Sequence, residues 1–396
     1  MADNGFDFDR IVERRRTDSL KYDGASLQGK PEGLLPLWVA DMDFKTADPV
    51  AAALIRLADH GIFGYPAPGA SYYDSVRAWW RERHGYEFDA RAVVALSGVV
   101  FALAQAVRAF TEPGDAILIQ RPVYYPFTDV IENNGRKLVN SPLVLGEDGR
   151  YRVDFDDFER KLSESRAKLF ILCSPHNPVG RVWTMDELER MGDICLAYDC
   201  LVVSDEIHAD FVYQKSPASR RHTVFSTIKE SFRGNSVVCT SPSKSFNLAG
   251  LQISNIIIED PALWRRYRKE LNASGYSQPN IMGFAACRAA YDEGGPWFDE
   301  LMTYLSGNLD LLRSRLSVLP GVRLIEPEGT YLPWLDFRGA GLNHDEVNRL
   351  LIDKAGVWLD EGTMFGPEGV GFQRVNIACP CAILADALDR IEAAMI

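Results

Sequence analysis

From about residue 46 to residue 285, short apolar runs alternate with helical patterns along this chain. The predicted strands are residues 93–96, 116–119, 137–140, 169–173, 201–204, 236–240 and 253–258. Between them lie helical patterns such as residues 101–110, 185–198 and 262–271, the last of which starts after Pro261, a residue that suits the first turn of a helix. This alternation predicts an α/β domain whose mostly parallel sheet is covered by helices on both faces.

The last part of the chain has a different pattern. A long helical stretch runs from Trp297 to about Leu319, just before Pro320 and Gly321. The remainder mixes predicted strands with helices, the strands at residues 322–325, 331–336 and 371–377 and the helices at residues 345–354 and 384–393. This pattern predicts a smaller α+β domain over residues 286–396, beside a large domain over residues 46–285. Residues 1–45 are expected to form an N-terminal segment that associates with the small domain and the active site.

Charge and cysteine content limit the possible partners. The chain has 43 Lys and Arg and 55 Asp and Glu, a formal net charge of −12, which disfavours nucleic acid and membranes as partners. The N-terminus has no signal-peptide pattern, and no apolar run approaches the roughly 20 residues of a membrane helix. The seven cysteines indicate reduced thiols, and Cys379-Pro-Cys381 lacks a second pair at zinc spacing. A cytoplasmic protein without a metal site is therefore expected.

One lysine stands directly after a predicted strand, in the segment Thr240-Ser241-Pro242-Ser243-Lys244. A lysine at the exit of a buried strand is held rigidly and is partly desolvated, which lowers its pKa and makes its amine nucleophilic. The hydroxyls of Ser241 and Ser243 suit an anionic phosphate. The segment fits a Schiff-base lysine for pyridoxal phosphate (PLP), and it fits a surface lysine on a loop about equally well.

Two more polar residues follow predicted strands, where the sites of parallel sheets lie. Asp205, in Ser204-Asp205-Glu206, is a candidate partner for a cation such as a protonated pyridine nitrogen; alternatively it caps the next helix. Asn177 stands between Pro175 and Pro178, which fix the backbone and aim its amide; alternatively it belongs to a plain turn.

Two weaker signals complete the set. Gly98, Val99 and Val100 lie at a strand-to-helix junction, where free backbone N–H groups form an anion site. Tyr124, in the proline-bounded loop that also holds Tyr125, has an aromatic ring that suits stacking on a planar cofactor, although packing is the commoner role of such a ring.

In order and spacing these motifs resemble the fold-type I PLP enzymes of the aminotransferase class I/II family. Within it the chain is most similar to the MalY/PatB branch of cystathionine β-lyases and related carbon–sulfur lyases. The segments that carry this resemblance are residues 38–44, 122–127, 174–180, 204–208 and 243–252. The resemblance implies a three-layer α/β/α large domain with a mixed, mostly parallel sheet, plus a smaller α+β domain. It also implies a homodimer with shared active sites.

The resemblance assigns roles to residues around the cofactor ring. It implies that Lys244 binds PLP covalently and takes the α-proton of the substrate, and that Asp205 binds the pyridine nitrogen. Asn177 and His208 fall beside the ring oxygen, and Tyr124, which the resemblance groups with Lys244 and Asp205 as a catalytic residue, stacks on the ring.

The resemblance also assigns the phosphate and substrate contacts. The backbone at Gly98, Val99 and Val100 and the hydroxyls of Ser241 and Ser243 correspond to the phosphate site. Tyr65 is similar to a tyrosine that reaches the phosphate across a dimer interface. Arg374 matches the arginine that binds the substrate α-carboxylate, a bidentate task that suits a planar guanidinium. Asn177 and Trp38 are expected beside the substrate.

One position departs from the aminotransferase pattern. Aminotransferases usually have an arginine on the phosphate eight residues after the Schiff-base lysine, and this chain has Gln252 there. The loss of that cation is a mark of the lyase branch. The predicted function is therefore α,β-elimination of L-cystathionine or related L-cysteine conjugates to pyruvate, ammonia and a thiol. The alternative is transamination of an L-amino acid, which uses the same residues.

Overall fold

The computed structural model describes residues 5–214 and 221–395. In chain order its strands are β1 (Leu35–Pro36), β2 (Val93–Leu96), β3 (Ala116–Ile119), β4 (Lys137–Asn140), β5 (Val144–Leu145), β6 (Tyr151–Arg152), β7 (Leu169–Cys173), β8 (Leu201–Asp205), β9 (Ser236–Thr240), β10 (Ser254–Ile257), β11 (Arg323–Ile325), β12 (Trp334–Asp336), β13 (Val357–Trp358), β14 (Asp360–Glu361) and β15 (Phe372–Arg374).

The helices are α1 (Leu20–Asp23), α2 (Asp48–His60), α3 (Ala70–His84), α4 (Val99–Phe110), α5 (Pro126–Glu132), α6 (Phe155–Ser165), α7 (Met185–Ala197), α8 (Glu230–Arg233), α9 (Pro242–Ser245), α10 (Pro261–Ala273), α11 (Ile281–Glu293), α12 (Gly295–Leu316), α13 (His344–Arg349) and α14 (Cys381–Met395). A π-helical turn, Leu350–Lys354, continues α13. Asp260 caps α10 through the N–H groups of residues 262 and 263, and Pro261 stands at its first position as predicted.

The large sheet has the strand order β2-β10-β9-β8-β7-β3-β4 within the described part of the chain. Strands β4, β3, β7, β8 and β9 pair in parallel, and β10 runs antiparallel to β9 and β2. The side chains of β7 divide between the two faces: Ile171 packs into one apolar cluster, and Phe170 packs into another. The predicted three-layer α/β/α domain with a mixed, mostly parallel sheet is therefore confirmed.

The smaller sheet has the order β11-β12-β15-β14 and is antiparallel throughout. The assigned strands β12 and β15 are shorter than the predicted 331–336 and 371–377. Pro333 has no N–H to donate, so the ladder is interrupted at that residue, and single backbone hydrogen bonds continue the pairing from Val375 and Ile377. Helix α12 covers most of the predicted helical stretch and ends at Leu316, three residues before its expected end.

The N-terminal segment runs from the small domain to the residues that follow β9, where the N–H of Met42 donates to the Oδ1 of Asn247 at 3.0 Å. Strand β1 pairs in parallel with β13, and the N–H of Asn376 donates to the carbonyl of Leu37. The predicted domain boundary at residue 285 falls inside α11. Helix α11 packs against α2 and α3, and the boundary itself stays a prediction. No helix within residues 5–214 and 221–395 is long and apolar enough to cross a membrane.

Candidate active site

The carboxyl ends of three neighbouring parallel strands form the floor of the site. Asp205 is the last residue of β8, and the strand register sets it beside Cys173 of β7 on one side and Cys239 of β9 on the other. Asn177 follows β7, and Lys244 follows β9. The sheet thus brings together three residues that are distant in the sequence, at the edge where ligands of such folds bind.

Asp205 is buried, with 5 % of its surface exposed, and one of its oxygens accepts a hydrogen bond from the N–H of Ile207 at 3.1 Å. Burial raises the pKa of this carboxyl to about 7, against the opposing effects of that hydrogen bond and of the Lys244 charge. A buried carboxylate of this kind is stabilised when a cationic group binds against it.

Lys244 lies in the short helix α9, whose N-cap Ser241 accepts a hydrogen bond from the N–H of Ser243 at 3.0 Å. The Nζ atom of Lys244 donates to the carbonyl of Ala40 at 2.7 Å. Burial and the nearby Arg374 lower the pKa of the amine to about 8, although Asp41 and Asp205 oppose this shift. An amine with a pKa near 8 is poised both for nucleophilic attack and for proton transfer.

Two further residues, Tyr124 and His208, lie near Asp205 and Lys244. The backbone of Tyr124 is held by an N–H bond to the carbonyl of Asn177 at 3.1 Å. His208 is buried, its Nδ1 has no hydrogen-bond partner among the described residues, and burial together with the Lys244 charge lowers its pKa well below the ordinary value. A neutral imidazole with a free ring nitrogen is able to bind a polar group of a ligand.

The proposed anion site lies where α4 begins. Ser241 and the end of β2 flank β10: the Oγ of Ser241 donates to the carbonyl of Ile253 at 2.6 Å, and the Oγ of Ser254 donates to the carbonyl of Leu96 at 3.2 Å. Ser241 and the end of β2 are therefore two strand spacings apart, about 10 Å. Gly98 is the N-cap of α4 with no side-chain hydrogen bond, and a Cβ atom at this residue would meet open space. Open space with room for an anion therefore lies beside the N-cap of this twelve-residue helix, whose first N–H groups have no partner within the helix.

Arg374 lies on β15 and is 2 % exposed. Its Nη1 donates to the Oδ1 of Asn177 at 3.1 Å, and its Nη2 donates to the carbonyl of Trp38 at 3.0 Å and to the carboxylate of Asp360. The guanidinium also lies 4.8 Å from the ring centre of Phe365. These contacts join the small domain to Asn177 of the large domain.

Segment 38–44 joins the two domains at the site. Its carbonyls accept hydrogen bonds from side chains of both domains: Asn376 donates to Val39 and Asp41, and Asn247 donates to Met42 and Phe44.

The hydroxyl of Tyr331 donates to the carbonyl of Ala40 at 3.0 Å, and the acidic side chains of Asp41 and Asp43 pair with Arg14 and the buried Lys21. The resemblance marked the segment itself, but no local pattern identified the residues that hold it.

Two expected site residues are placed differently from the rest. The ring of Trp38 stacks on Trp358 at 4.3 Å and its Nε1 donates to the carbonyl of Lys21, so its contact with Arg374 is made by the backbone. Tyr65 is 98 % exposed and lies in a segment without helix or strand. Gln252, at the position where aminotransferases usually have arginine, is also exposed.

The residues present fit PLP. An amine of lowered pKa, a carboxyl that favours a cation, an unpartnered imidazole nitrogen and an open helix N-terminus supply one group for each part of such a cofactor. The N–H groups suit the phosphate, Asp205 suits the pyridine nitrogen, and Lys244 suits the aldehyde carbon.

Comparison with known proteins agrees with this geometry. The family model for aminotransferase class I and II matches residues 32–391. The chain is 43 % identical over 389 residues to cystathionine beta-lyase PatB of Bacillus subtilis (98 % of this chain, 99 % of PatB) and 34 % identical over 378 residues to protein MalY of Escherichia coli (95 % of each). The structure of cystalysin from Treponema denticola, which contains a pyridoxal 5'-phosphate cofactor, superposes with a TM-score of 0.94 at 36 % identity and covers 98 % of both chains. The chain belongs to the aminotransferase class I and II family, as its motifs predict.

Proposed function

We propose that this chain is a PLP-dependent carbon–sulfur β-lyase that cleaves L-cystathionine or related L-cysteine conjugates to pyruvate, ammonia and a thiol. The observation that carries the proposal is the 43 % identity, over nearly the whole of both chains, to a protein named cystathionine beta-lyase. The site supports it, because Lys244, Asp205 and Arg374 come together around one space.

The residues that would hold the cofactor divide by its parts. Lys244 binds it covalently, Asp205 binds the ring nitrogen, Asn177 and His208 lie beside the ring oxygen, and the Tyr124 ring stacks on it. The phosphate is held by Ser241, Ser243 and the backbone at Gly98, Val99 and Val100. When bound, PLP withdraws electrons from the α-carbon of the amino acid.

The chain's own residues then determine the reaction. Arg374 and Asn177 hold the α-carboxylate, and the Lys244 amine, which the amino group of the substrate would displace from the cofactor, takes the α-proton. Burial and the Arg374 charge lower the pKa of the amine to about 8, so part of the molecules carry it neutral near that pH. Asp205 keeps the ring nitrogen protonated. The electron pair left at the α-carbon expels the thiolate from the β-carbon, the thiolate takes a proton, and one water is consumed as the remaining fragment breaks down to pyruvate and ammonia.

A second copy of the chain completes the phosphate site in this proposal. Tyr65 lies close in sequence to other exposed apolar side chains: Ile55 is 59 % exposed, Ile62 is 68 % exposed and Phe63 is 59 % exposed. A cluster of large apolar side chains on the surface is typical of a protein–protein interface. We place the Tyr65 hydroxyl at the phosphate of the other subunit. The Tyr65→Phe variant should retain PLP more weakly in dialysis, whereas Phe63→Asp should produce monomers in sedimentation analysis.

The decisive test is product analysis with the purified, PLP-loaded protein and L-cystathionine, in the absence of any keto acid. Equal rates of pyruvate, ammonia and homocysteine release are expected. If amino-group transfer appears only after a keto acid is added, the chain is an aminotransferase and the lyase proposal is wrong.

A further inference from the structure

Most of the N–H hydrogens of the Arg374 guanidinium already donate hydrogen bonds within the protein. Nη2 has two hydrogens and donates to two acceptors, the carbonyl of Trp38 and the carboxylate of Asp360. Nη1 donates one to Asn177, and Nε is buried without a partner among residues 5–214 and 221–395. The buried side chain therefore has no pair of neighbouring N–H groups that are both free.

A substrate carboxylate needs such a pair. Bidentate binding uses two parallel N–H groups, either Nε with Nη2 or Nη1 with Nη2. Both pairs include Nη2, so an incoming carboxylate must replace one of its two acceptors. The Trp38 carbonyl belongs to the backbone of segment 38–44, which side chains of both domains hold in place. The Asp360 carboxylate is the partner that a side-chain rotation can move.

The Asp360 carboxylate has few other charged partners once it leaves Arg374. It stands at the start of β14 and is 2 % exposed. The charged groups that act on it are Arg374 and its neighbour Glu361, while Tyr124 and Tyr125 face it from the chain before α5. Glu361 pairs with Lys30 at 2.7 Å, so that cation is already engaged. Burial raises the pKa of the Asp360 carboxyl to about 6 even with Arg374 beside it.

We propose that Asp360 is a resident carboxylate that holds Arg374 in the empty site and that the substrate α-carboxylate displaces. The displaced side chain stays buried without its cation and takes one proton from solvent, because burial disfavours its charged form. Asp360 is thus a positioning residue that sets substrate affinity through Arg374. This inference rests on the proposed function only in the role of Arg374 as the carboxylate-binding residue.

The test measures binding and proton uptake without chemistry. The probe is 3-(methylthio)propanoate, which has a carboxylate and a thioether but no amine to react with the cofactor. Calorimetric titration of the PLP-loaded protein at pH 7.5, in two buffers of different ionisation enthalpy, counts the protons taken up. We expect uptake of about one proton per carboxylate bound, and an affinity that falls about tenfold for each pH unit above 7.

Two matched variants assign the proton. Asp360→Asn keeps the shape of the side chain, and we expect it to bind the probe about tenfold more tightly, with no linked proton, because the competing charge is gone. Glu361→Gln removes the same charge one residue away without touching Arg374, and we expect it to retain the proton uptake of the wild type.

Each outcome decides the proposal. Binding to the wild-type protein without proton uptake overturns it, and this measurement needs no variant to fold. Uptake that persists in Asp360→Asn, or weaker binding by that variant, also overturns it. If the probe does not bind at all, Arg374 is not the carboxylate site and the inference is wrong. The product assay with L-cystathionine is a separate experiment, so a failure of the lyase proposal would be seen independently.

Discussion

The two halves of the candidate site are built in different ways. In the half at the sheet edge, Asp205, Asn177 and Lys244 each follow a strand, and the ladder of β7, β8 and β9 places them. The half around Arg374 depends on side chains that bind backbone carbonyls of segment 38–44 and on the carboxylate of Asp360. Substitutions in the first half should therefore remove chemistry while the fold persists. Substitutions in the second half should change affinity and stability together.

The sharpest test of the first half is Lys244→Ala. Loss of the amine removes both the covalent attachment of PLP and the base for the α-proton, so turnover should fall by at least about 10³-fold and the visible absorbance of the lysine-bound cofactor should disappear. The control is Lys229→Ala, which removes an exposed lysine paired with Asp193 at 2.7 Å. Turnover that survives in Lys244→Ala would exclude this lysine from the mechanism.

Asp205→Asn should leave PLP bound and reduce kcat by about 10²- to 10³-fold, because the amide cannot keep the ring nitrogen protonated. Cofactor content measured by absorbance and kcat measured by pyruvate release separate binding from chemistry. A kcat near that of the wild type would contradict the role of Asp205 at the ring nitrogen.

In the protein without cofactor, Asp205→Asn should also change how stability depends on pH. The pKa of Asp205 rises to about 7 on folding because of burial, so between about pH 4 and pH 7 the folded protein keeps a proton that the unfolded chain has lost. The stabilisation that this group contributes therefore decreases as pH rises through that window. The Tm of Asp205→Asn, relative to the Tm of the wild type, should accordingly increase as pH rises through the same window. Asp336→Asn is the control of opposite sign: despite burial, Arg338 lowers the pKa of Asp336, so its contribution is lost as pH falls. Equal pH profiles for Asp205→Asn and the wild type would show that the carboxyl is not buried as described.

In the second half, Arg374→Lys should raise KM for L-cystathionine by about 10- to 100-fold, with a smaller change in kcat. A lysine keeps the charge but loses the planar pair of N–H groups, and hydrogen bonds to charged groups contribute about 1.5–3 kcal/mol. Arg338→Lys is the control, because Arg338 forms a similar carboxylate pair with Asp336 at 2.8 Å. An unchanged KM would show that Arg374 does not bind the carboxylate.

The same contrast explains how much could be predicted from the sequence. The strands and the residues that follow them were predicted well, because buried parallel strands are apolar throughout and the polar residues at their ends stand out. Helix α4 begins at Val99, two residues before the predicted start at residue 101, because its first residues are apolar and its N-cap, Gly98, has no side chain to signal the start.

The small-domain half could not be predicted in the same way. Asp360 lies on a strand of two residues, which has no periodicity, and its partner Arg374 is fourteen residues away. Asn376 and Tyr331 act on carbonyls of residues about 300 positions earlier, and any residue type has a carbonyl, so the acceptors leave no trace in the sequence. The family resemblance predicted the role of Arg374, whereas the hydrogen-bond partners of its guanidinium are visible only in the structure.

A matched comparison of two asparagines tests whether the two halves of the site depend on each other. Asn376 donates to the carbonyls of Val39 and Asp41 at 2.7 and 2.6 Å, and Asn308 donates to those of Ile377 and Cys379 at 2.9 and 2.8 Å. Replacement of either by alanine removes the side-chain donor to two backbone carbonyls, so each variant should lose about 1–3 kcal/mol of unfolding free energy in urea denaturation.

Of these two asparagines, Asn376 alone donates to segment 38–44, which also accepts hydrogen bonds from Lys244 and Arg374. Asn376→Ala should therefore also raise KM for L-cystathionine by a few fold, whereas Asn308→Ala should leave KM unchanged. If both variants lose stability equally and neither changes KM, the segment supports the fold alone and the two halves of the site act independently. If KM changes only in Asn376→Ala, the carbonyls of this segment position the reactive amine and the carboxylate-binding arginine together.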